Sequence, residues 1–425
     1  MTDALAILRA LARIWDELEG LCGNDWPRIQ TELSSALWRL DAVVAPTDSD
    51  LSDVLAILGS VPGMNERFIA ALADELPDVV VRGTAPVSTR IRPRLFEVVP
   101  ILFATDRDPT DGDPTWFGAL RGDLVVGIAE ISIPLRHEPG KLESPRWWRL
   151  EFKERPERHV VLLGLEILPR TELLTRLKTQ FRAQAETREG MLFIHGYNVP
   201  FVDAARRTAQ IAHDLSFSGV PILYSWPSEG SLPSYMIDAG NARWTEPHFR
   251  EFMQCVLCDM ELSVVHVIAH SMGNIVLTEF LRGLRRQPFV GQAARIRQII
   301  FAAPDIDAAT FAQLAAEFHG HAERYTLYAS SRDKALAASQ RVQRYARAGD
   351  AGDGLVLVAG IDTVDASSVD TSFLGHSYIA DNATILDDVA DLLRHGRSPA
   401  ERQCLTPTDT PRGRYWVLSA TASPG

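Results

Sequence analysis

Residues 264–274 read Val264-Val265-His266-Val267-Ile268-Ala269-His270-Ser271-Met272-Gly273-Asn274. The β-branched, apolar first half is typical of a buried strand, and from Ile275 to Leu284 apolar residues recur at helical spacing. A strand, a serine and a helix therefore follow one another with no room for a loop between them.

This layout predicts a nucleophile elbow, a strained turn that lifts a serine hydroxyl clear of a sheet and points the first N–H groups of a helix at the same place. The second neighbours of Ser271 must be small because side chains there would collide with the strand and helix. Ala269 and Gly273 meet this need, although the usual pattern has glycine at both positions. From these five residues alone, a serine that merely caps a helix stays open.

Composition limits the class of protein. The chain has 425 residues, enough for two or three domains, and its 46% hydrophobic content predicts a soluble globular protein. A net charge of −12 argues against a nucleic-acid partner, because no basic surface is available for phosphate contacts.

The four cysteines do not form a disulfide framework. Cys255 and Cys258 lie three apart, but no second Cys/His pair with zinc-like spacing accompanies them, so reduced core thiols are expected and no metal or other cofactor is. The Met1-Thr2-Asp3-Ala4 start lacks the basic residues of a secretory signal, and no window approaches 18 uninterrupted apolar residues. We therefore predict a cytoplasmic protein without a transmembrane segment.

The domain organisation follows from changes in pattern. Residues 1–80 carry apolar stripes at helical spacing and predict a small helical bundle, either an inert accessory or a domain that docks a protein partner. Residues 81–95 predict a linker. The Pro-, Thr- and Ser-rich residues 396–425 predict a flexible tail, which Tyr415-Trp416 could anchor.

Residues 96–395 predict an α/β fold. A β-rich N-terminal part is followed by strands that alternate with helices, which is typical of a mostly parallel sheet with helices on both faces. The last strand of this series is predicted at Leu355 to Ala359. The segment from Trp226 to His248, which contains aromatic and apolar residues, is predicted to be irregular and either to overhang the site as a cap or to pack as an ordinary loop.

A serine nucleophile needs a histidine and an acid, which on such a sheet follow it in the order serine, acid, histidine. His376 lies in a glycine-marked loop before the last helix and is the predicted base, in preference to His319, His321 and His395. Asp333, after the penultimate strand, is the predicted acid. Asp305, after the preceding strand, is the alternative acid.

Two backbone N–H groups are needed to bind the developing oxyanion. The elbow supplies that of Met272. The loop at the end of the predicted strand Met191 to His195, which reads His195-Gly196-Tyr197-Asn198, supplies that of Tyr197. His195 is interpreted as a scaffold residue that orients this loop. Asp106 and Arg107, at the end of an early strand, are interpreted as an ion pair that holds the N-terminal hairpin, and a place near the site is the alternative.

The segment from Val98 to Leu393 resembles a bacterial family of α/β-hydrolase fold proteins, described as esterase- or lipase-like and formerly as a domain of unknown function. The resemblance implies a serine hydrolase without implying a substrate, and Ala269 matches this family. Residues 1–80 loosely resemble helical adaptor segments of bacterial effector proteins. The hydrolase resemblance is carried by Phe103-Ala104-Thr105-Asp106-Arg107, Ile131-Ser132-Ile133-Pro134 with His137 and Gly140, His195-Gly196-Tyr197-Asn198, Ser225-Trp226-Pro227-Ser228, Ala269-His270-Ser271-Met272-Gly273-Asn274, Ala303-Pro304-Asp305 and Gly375-His376-Ser377-Tyr378.

Two functional hypotheses follow. The first is a serine hydrolase that cleaves a small-molecule carboxylic ester or a lipid through an acyl-enzyme, with no metal or other cofactor. The second is a partner-docked effector or scaffold, in which residues 1–80 bind another protein and control the hydrolase body.

Overall fold

The computed structural model describes residues 95–110, 116–144, 154–183, 188–229, 235–318, 320–332, 336, 345–352, 354–369 and 383–419. The chain divides into two compact units, and the elements described here belong to the unit formed by Leu95–Glu143 and Pro156–Gly425.

The described strands join in one sheet of eleven strands. In chain order they are β1 (Phe96–Pro109), β2 (Phe117–Pro134), β3 (Val161–Leu168), β4 (Glu189–Ile194), β5 (Val220–Ser225), β6 (Val264–His270), β7 (Arg295–Ala302), β8 (Ala322–Ala329), β9 (Asp362–Asp365), β10 (Leu405–Thr410) and β11 (Gly413–Leu418). The described α-helices are α1 (Arg170–Ala183), α2 (Phe201–Asp214), α3 (Tyr235–Trp244), α4 (Glu246–Gln254), α5 (Gly273–Arg286), α6 (Ala308–Phe318) and α7 (Ala383–His395).

The sheet is parallel at its centre and antiparallel at its ends. Its order is β10-β11-β9-β8-β7-β6-β4-β5-β1-β2-β3. The pairings from β1 through β5, β4, β6, β7, β8 and β9 to β11 are parallel, whereas β1–β2, β2–β3 and β10–β11 are antiparallel. The carboxyl ends of the central strands therefore meet at one edge of the sheet, which we call the carboxyl edge.

Helices cover both faces of this sheet, as predicted. Apolar residues of α2 and α7 pack in one core, and those of α1, α4, α5 and α6 pack in the other. Strand β6 is buried along its whole length, because helices cover both faces of the sheet at its centre. The α/β fold class predicted from the alternating pattern is confirmed.

Two sequence-based expectations inside this region were wrong. Residues 355–358 form no strand, and the strand that follows β8 in the chain is β9, which begins at Asp362 and pairs with β8. The cap predicted as irregular contains a regular helix, α3. Its apolar content was visible in the sequence, but its buried face includes Asp238 and Asn241, which a hydrophobic pattern does not recognise as inward-facing.

The predicted flexible tail is ordered over most of its length. Strand β11 joins β9, and β10 pairs with β11 to close that side of the sheet. Arg402 lies inside this segment and forms a fully buried ion pair with Asp388 of α7, with Nη1 and Oδ2 3.0 Å apart. This contact could not be predicted from the polar composition of the segment, because the buried groups are charged rather than apolar.

The predictions for residues 1–80 and for most of the linker lie outside the described residues, so partner docking stays a prediction. Where the structure describes the chain, none of its helices is both long enough and apolar enough to span a bilayer.

Candidate active site

Ser271 sits in a strained turn at the carboxyl edge of the sheet. Its φ is +49°, a left-handed value that is costly for a residue with a side chain. Three contacts hold the turn: the Ser271 N–H donates to Ala302 O over 3.0 Å, the Asn274 amide donates to Ser271 O over 2.9 Å, and the Asp305 N–H donates to Ser271 O over 3.2 Å. The turn thus has the strained backbone that an elbow requires.

Close packing around the turn explains its small residues. A Cβ added to Gly273 would lie 2.5 Å from His195 O and 2.7 Å from Ile194 O, too close for any side chain. A Cβ added to Gly196 would lie 2.9 Å from the Cβ of Ser271. Glycine at both positions therefore lets the elbow and the loop after β4 approach each other.

The two predicted oxyanion donors, Met272 and Tyr197, directly follow Ser271 and Gly196, the two residues that are in contact. Met272 is the N-cap residue of α5, so its N–H is among the first amide groups of the helix, which have no intrahelical acceptor. Tyr197 follows Gly196 directly, and Asn198 after it has a φ of +58°. The structure brings Ser271, Met272 and the Tyr197 loop together.

Buried contacts hold the loop that carries Tyr197. The His195 ring is buried and stacks on Trp226, with centroids 5.1 Å apart and planes 7° from parallel. The Trp226 Nε1–H donates to His195 O over 2.8 Å. Burial, followed by the charge of Arg107, lowers the pKa of His195 well below its usual value. His195 is thus a neutral imidazole within the scaffold.

The predicted ion pair between Asp106 and Arg107 is absent, since neighbouring residues of a strand point to opposite faces. The Asp106 carboxylate is directed towards Tyr224 OH, 3.2 Å away, and His248 Nδ1, 3.0 Å away. Arg107 extends towards His195 instead. A place near the site was the alternative for Arg107, and the resemblance to the hydrolase family included this residue, but its contact with His195 was not predicted.

Asp305, the alternative acid, lies beside the elbow in a buried network. Its Oδ1 accepts from Arg347 Nε over 2.6 Å, and its Oδ2 accepts from Tyr235 OH over 3.0 Å. No pattern in the sequence predicted that Arg347 contacts Asp305. The two residues are far apart in the chain, and the fold brings Arg347 back to the elbow after α6 and β8. Asp307, two residues on, accepts from the Thr310 N–H over 2.8 Å as a helix cap.

Helix α3 covers the same edge. The Tyr235 ring lies 5.7 Å from that of Tyr197. Asp238 is buried and accepts from Ser228 Oγ over 2.7 Å, while Ser228 Oγ accepts from the Asn198 N–H over 2.9 Å. Burial raises the pKa of Asp238. The cap and the Tyr197 loop are therefore joined by a continuous chain of hydrogen bonds.

The predicted base and the preferred acid, His376 and Asp333, lie outside the described residues. The strands that precede them in the chain are described: β8 ends at Ala329 and β9 at Asp365, both at the carboxyl edge. His321, one of the rejected histidines, immediately precedes β8 and lies at the opposite edge.

A second cluster of polar side chains lies away from the elbow. Ligand atoms of His137, His213 and Asp214 lie within 4.8 Å of one another, as in a metal site. However, His137 Nδ1 is 2.7 Å from Glu143 Oε2 and its Nε2 is 2.7 Å from Asp214 Oδ1. Burial opposes the charged ring, but these two hydrogen bonds outweigh it and raise the pKa of His137 to about 9. Both ring nitrogens of His137 are therefore engaged by carboxylates of this cluster.

A mostly parallel sheet with helices on both faces, and a serine at positive φ between its central strand and the following helix, define an α/β hydrolase. The chain belongs to the family of alpha/beta hydrolases of unknown function called DUF900, whose family model matches residues 170–395. No curated protein matches the chain, so the assignment rests on the family model.

Proposed function

We propose that this protein is a serine hydrolase that acts on carboxylic esters or lipids through an acyl-enzyme. Ser271 Oγ attacks the carbonyl carbon and passes its proton to His376, which Asp333 orients. The N–H groups of Met272 and Tyr197 bind the oxyanion. The histidine then protonates the departing alcohol, and water releases the acid in a second addition. The observation that carries the proposal is the strained Ser271 turn, packed against Gly196 at the carboxyl edge.

The topology supports His376 and Asp333. In parallel strands, the segments that follow β8 and β9 leave the sheet at the edge where Ser271 lies. Asp333 follows β8 and His376 follows β9, in the order acid then histidine. Asp305 is the weaker candidate because Arg347 and Tyr235 already engage its two carboxylate oxygens.

The proposed substrate class is supported by the cap. The aromatic rings of Tyr197 and Tyr235 lie beside each other near the elbow, and Met236 and Ile237, which follow Tyr235, are exposed. Apolar and aromatic surfaces of this kind suit the acyl chain or aromatic group of a small ester.

The test is covalent labelling by a fluorophosphonate, which reacts with activated serines. The wild-type protein is expected to bind one equivalent, and Ser271→Ala none. Ser419→Ala is the matched control, since that serine is exposed at the end of β11 and should leave labelling unchanged. His376→Ala should abolish turnover of an activated ester. Folded wild-type protein that neither labels nor hydrolyses any ester would refute the proposal.

A further inference from the structure

We infer that Arg107 and His195 form a positioning pair that orients the Gly196–Tyr197 peptide, so that the Tyr197 N–H points towards Ser271. The inference rests on the proposed function, because an oriented N–H at this place has a chemical task only if Ser271 attacks a carbonyl.

Arg107 is a buried cation whose donors are directed at the loops around the site. Its Nε donates to Ser225 Oγ over 2.9 Å and its Nη1 to Gly118 O over 3.0 Å. Its Nη2 donates to Val199 O over 2.6 Å and lies 3.2 Å from His195 Nε2. Burial lowers the pKa of Arg107 to about 10, which leaves the group charged at neutral pH. Arg107 therefore holds the far end of the Tyr197 loop at Val199.

The partners of His195 determine its tautomer. A guanidinium can only donate hydrogen bonds, so His195 Nε2 must be the unprotonated nitrogen beside Arg107. Ser225 Oγ, 3.1 Å from the same Nε2, accepts from Arg107 Nε and can donate its own proton to the ring. The remaining proton is on Nδ1, which is 2.8 Å from Gly196 O. Because that carbonyl can only accept, the Nδ1–H donates to it.

This hydrogen bond sets the direction of the next peptide group. The peptide bonds of the described chain are trans, so Gly196 O and the Tyr197 N–H point in opposite directions from the same plane. With Gly196 O turned towards the His195 ring, the Tyr197 N–H is turned away from it. Gly196 itself lies against Ser271, since a Cβ added to it would meet the serine Cβ at 2.9 Å. An oxyanion donor must be held in this way before the reaction begins.

The two amide substitutions of His195 separate this role from ordinary packing. In His195→Asn the amide N–H of the new side chain can take the place of Nδ1–H. The Gln side chain of His195→Gln is one CH2 longer, so its amide N–H lies near the former position of Nε2 instead. We expect His195→Asn to retain kcat within about tenfold, and His195→Gln to lower kcat by about 10²-fold with little change in KM, the effect of a lost oxyanion donor. The same pair of substitutions at His266, a buried histidine of β6, controls for the placement of an amide in the core and should show no such difference.

A second readout does not depend on activity. Nitrogen-15 NMR of the histidine rings should show His195 protonated at Nδ1 and unprotonated at Nε2 throughout pH 5–9. Arg107→Met should abolish this invariance, because the cation that selects the tautomer is gone. A wild-type ring protonated at Nε2, or equal kcat for His195→Asn and His195→Gln, overturns the inference while Ser271 labelling still supports the hydrolase. Failure of Ser271 labelling removes both.

Discussion

Arg347 grips Asp305 twice: its Nε donates to Asp305 Oδ1 and its Nη2 to the Asp305 backbone oxygen, each over 2.6 Å. Both residues are buried, and the Asp305 N–H donates in turn to Ser271 O. The ion pair of Arg347 with Asp305 therefore stabilises the backbone contact between Asp305 and Ser271. This structural role is distinct from that of a triad acid.

This distinction predicts different effects for the two candidate acids. Asp333→Asn should lower kcat/KM for an activated ester by about 10³–10⁴-fold, because the histidine loses the partner that holds its tautomer. Asp305→Asn should lower kcat/KM by no more than about tenfold and instead reduce the thermal unfolding midpoint, since it weakens a buried ion pair. Steady-state kinetics and thermal unfolding of both variants decide the matter, and the reverse ranking would make Asp305 the acid.

The elbow should not tolerate a methyl group at Gly273. Gly273→Ala is expected to cost about 1–3 kcal/mol or more in the free energy of unfolding and to slow Ser271 labelling, because the new Cβ would overlap His195 O and Ile194 O. Gly164→Ala in β3 is the matched control, as nothing lies within 4 Å of its added Cβ. Urea unfolding and labelling rates of the two variants check this, and equal behaviour would contradict the packing described.

The His137 cluster predicts a loss of stability at alkaline pH. Its pKa of about 9 in the folded protein is above the unfolded value of 6.5, so the stabilisation is complete below pH 6.5 and disappears as the pH rises through 9. Asp214 acts in the opposite direction: burial favours its protonation, but the bond to His137 prevails and lowers its pKa to about 2, so its contribution is lost as the pH falls from 3.8 through 2.

Free energies of unfolding measured from pH 6 to pH 10 should therefore fall more steeply for the wild type than for His137→Gln, which cannot titrate. The difference is expected to be on the order of 2–3 kcal/mol. Parallel curves for the two proteins would show that the ring is not charged in the folded state.

Arg402 and Arg414, both in the C-terminal segment, form ion pairs that differ in burial. Arg402→Ala should cost about 3–5 kcal/mol in the free energy of unfolding, because it leaves Asp388 buried without its cation. Arg414→Ala, which removes an exposed pair with Asp409 in the β10–β11 hairpin, should cost less than about 1 kcal/mol. Urea unfolding of both variants tests whether this segment is an integral part of the sheet, and similar costs would show that it is not.

Much of the fold was predictable because strands and helices leave periodic patterns of apolar residues. Strand β6, the Ser271 turn and α5 could be recognised from consecutive residues, since β-branched spacing and the small neighbours Ala269 and Gly273 are local properties. Strand β9 was misplaced by a few residues because it is only four residues long and includes two aspartates, too short and too polar for a pattern to stand out.

The sequence by itself determined the α/β class, the position of Ser271 and the glycine that precedes Tyr197, because each depends on residues adjacent in the chain. Only the tertiary structure decided that Arg107 lies beneath His195, that Arg347 binds Asp305, and that Arg402 fixes the C-terminal strands. These are contacts between buried polar groups far apart in the chain. A hydrophobic pattern does not register them, since their partners are selected by charge and geometry after the sheet has formed.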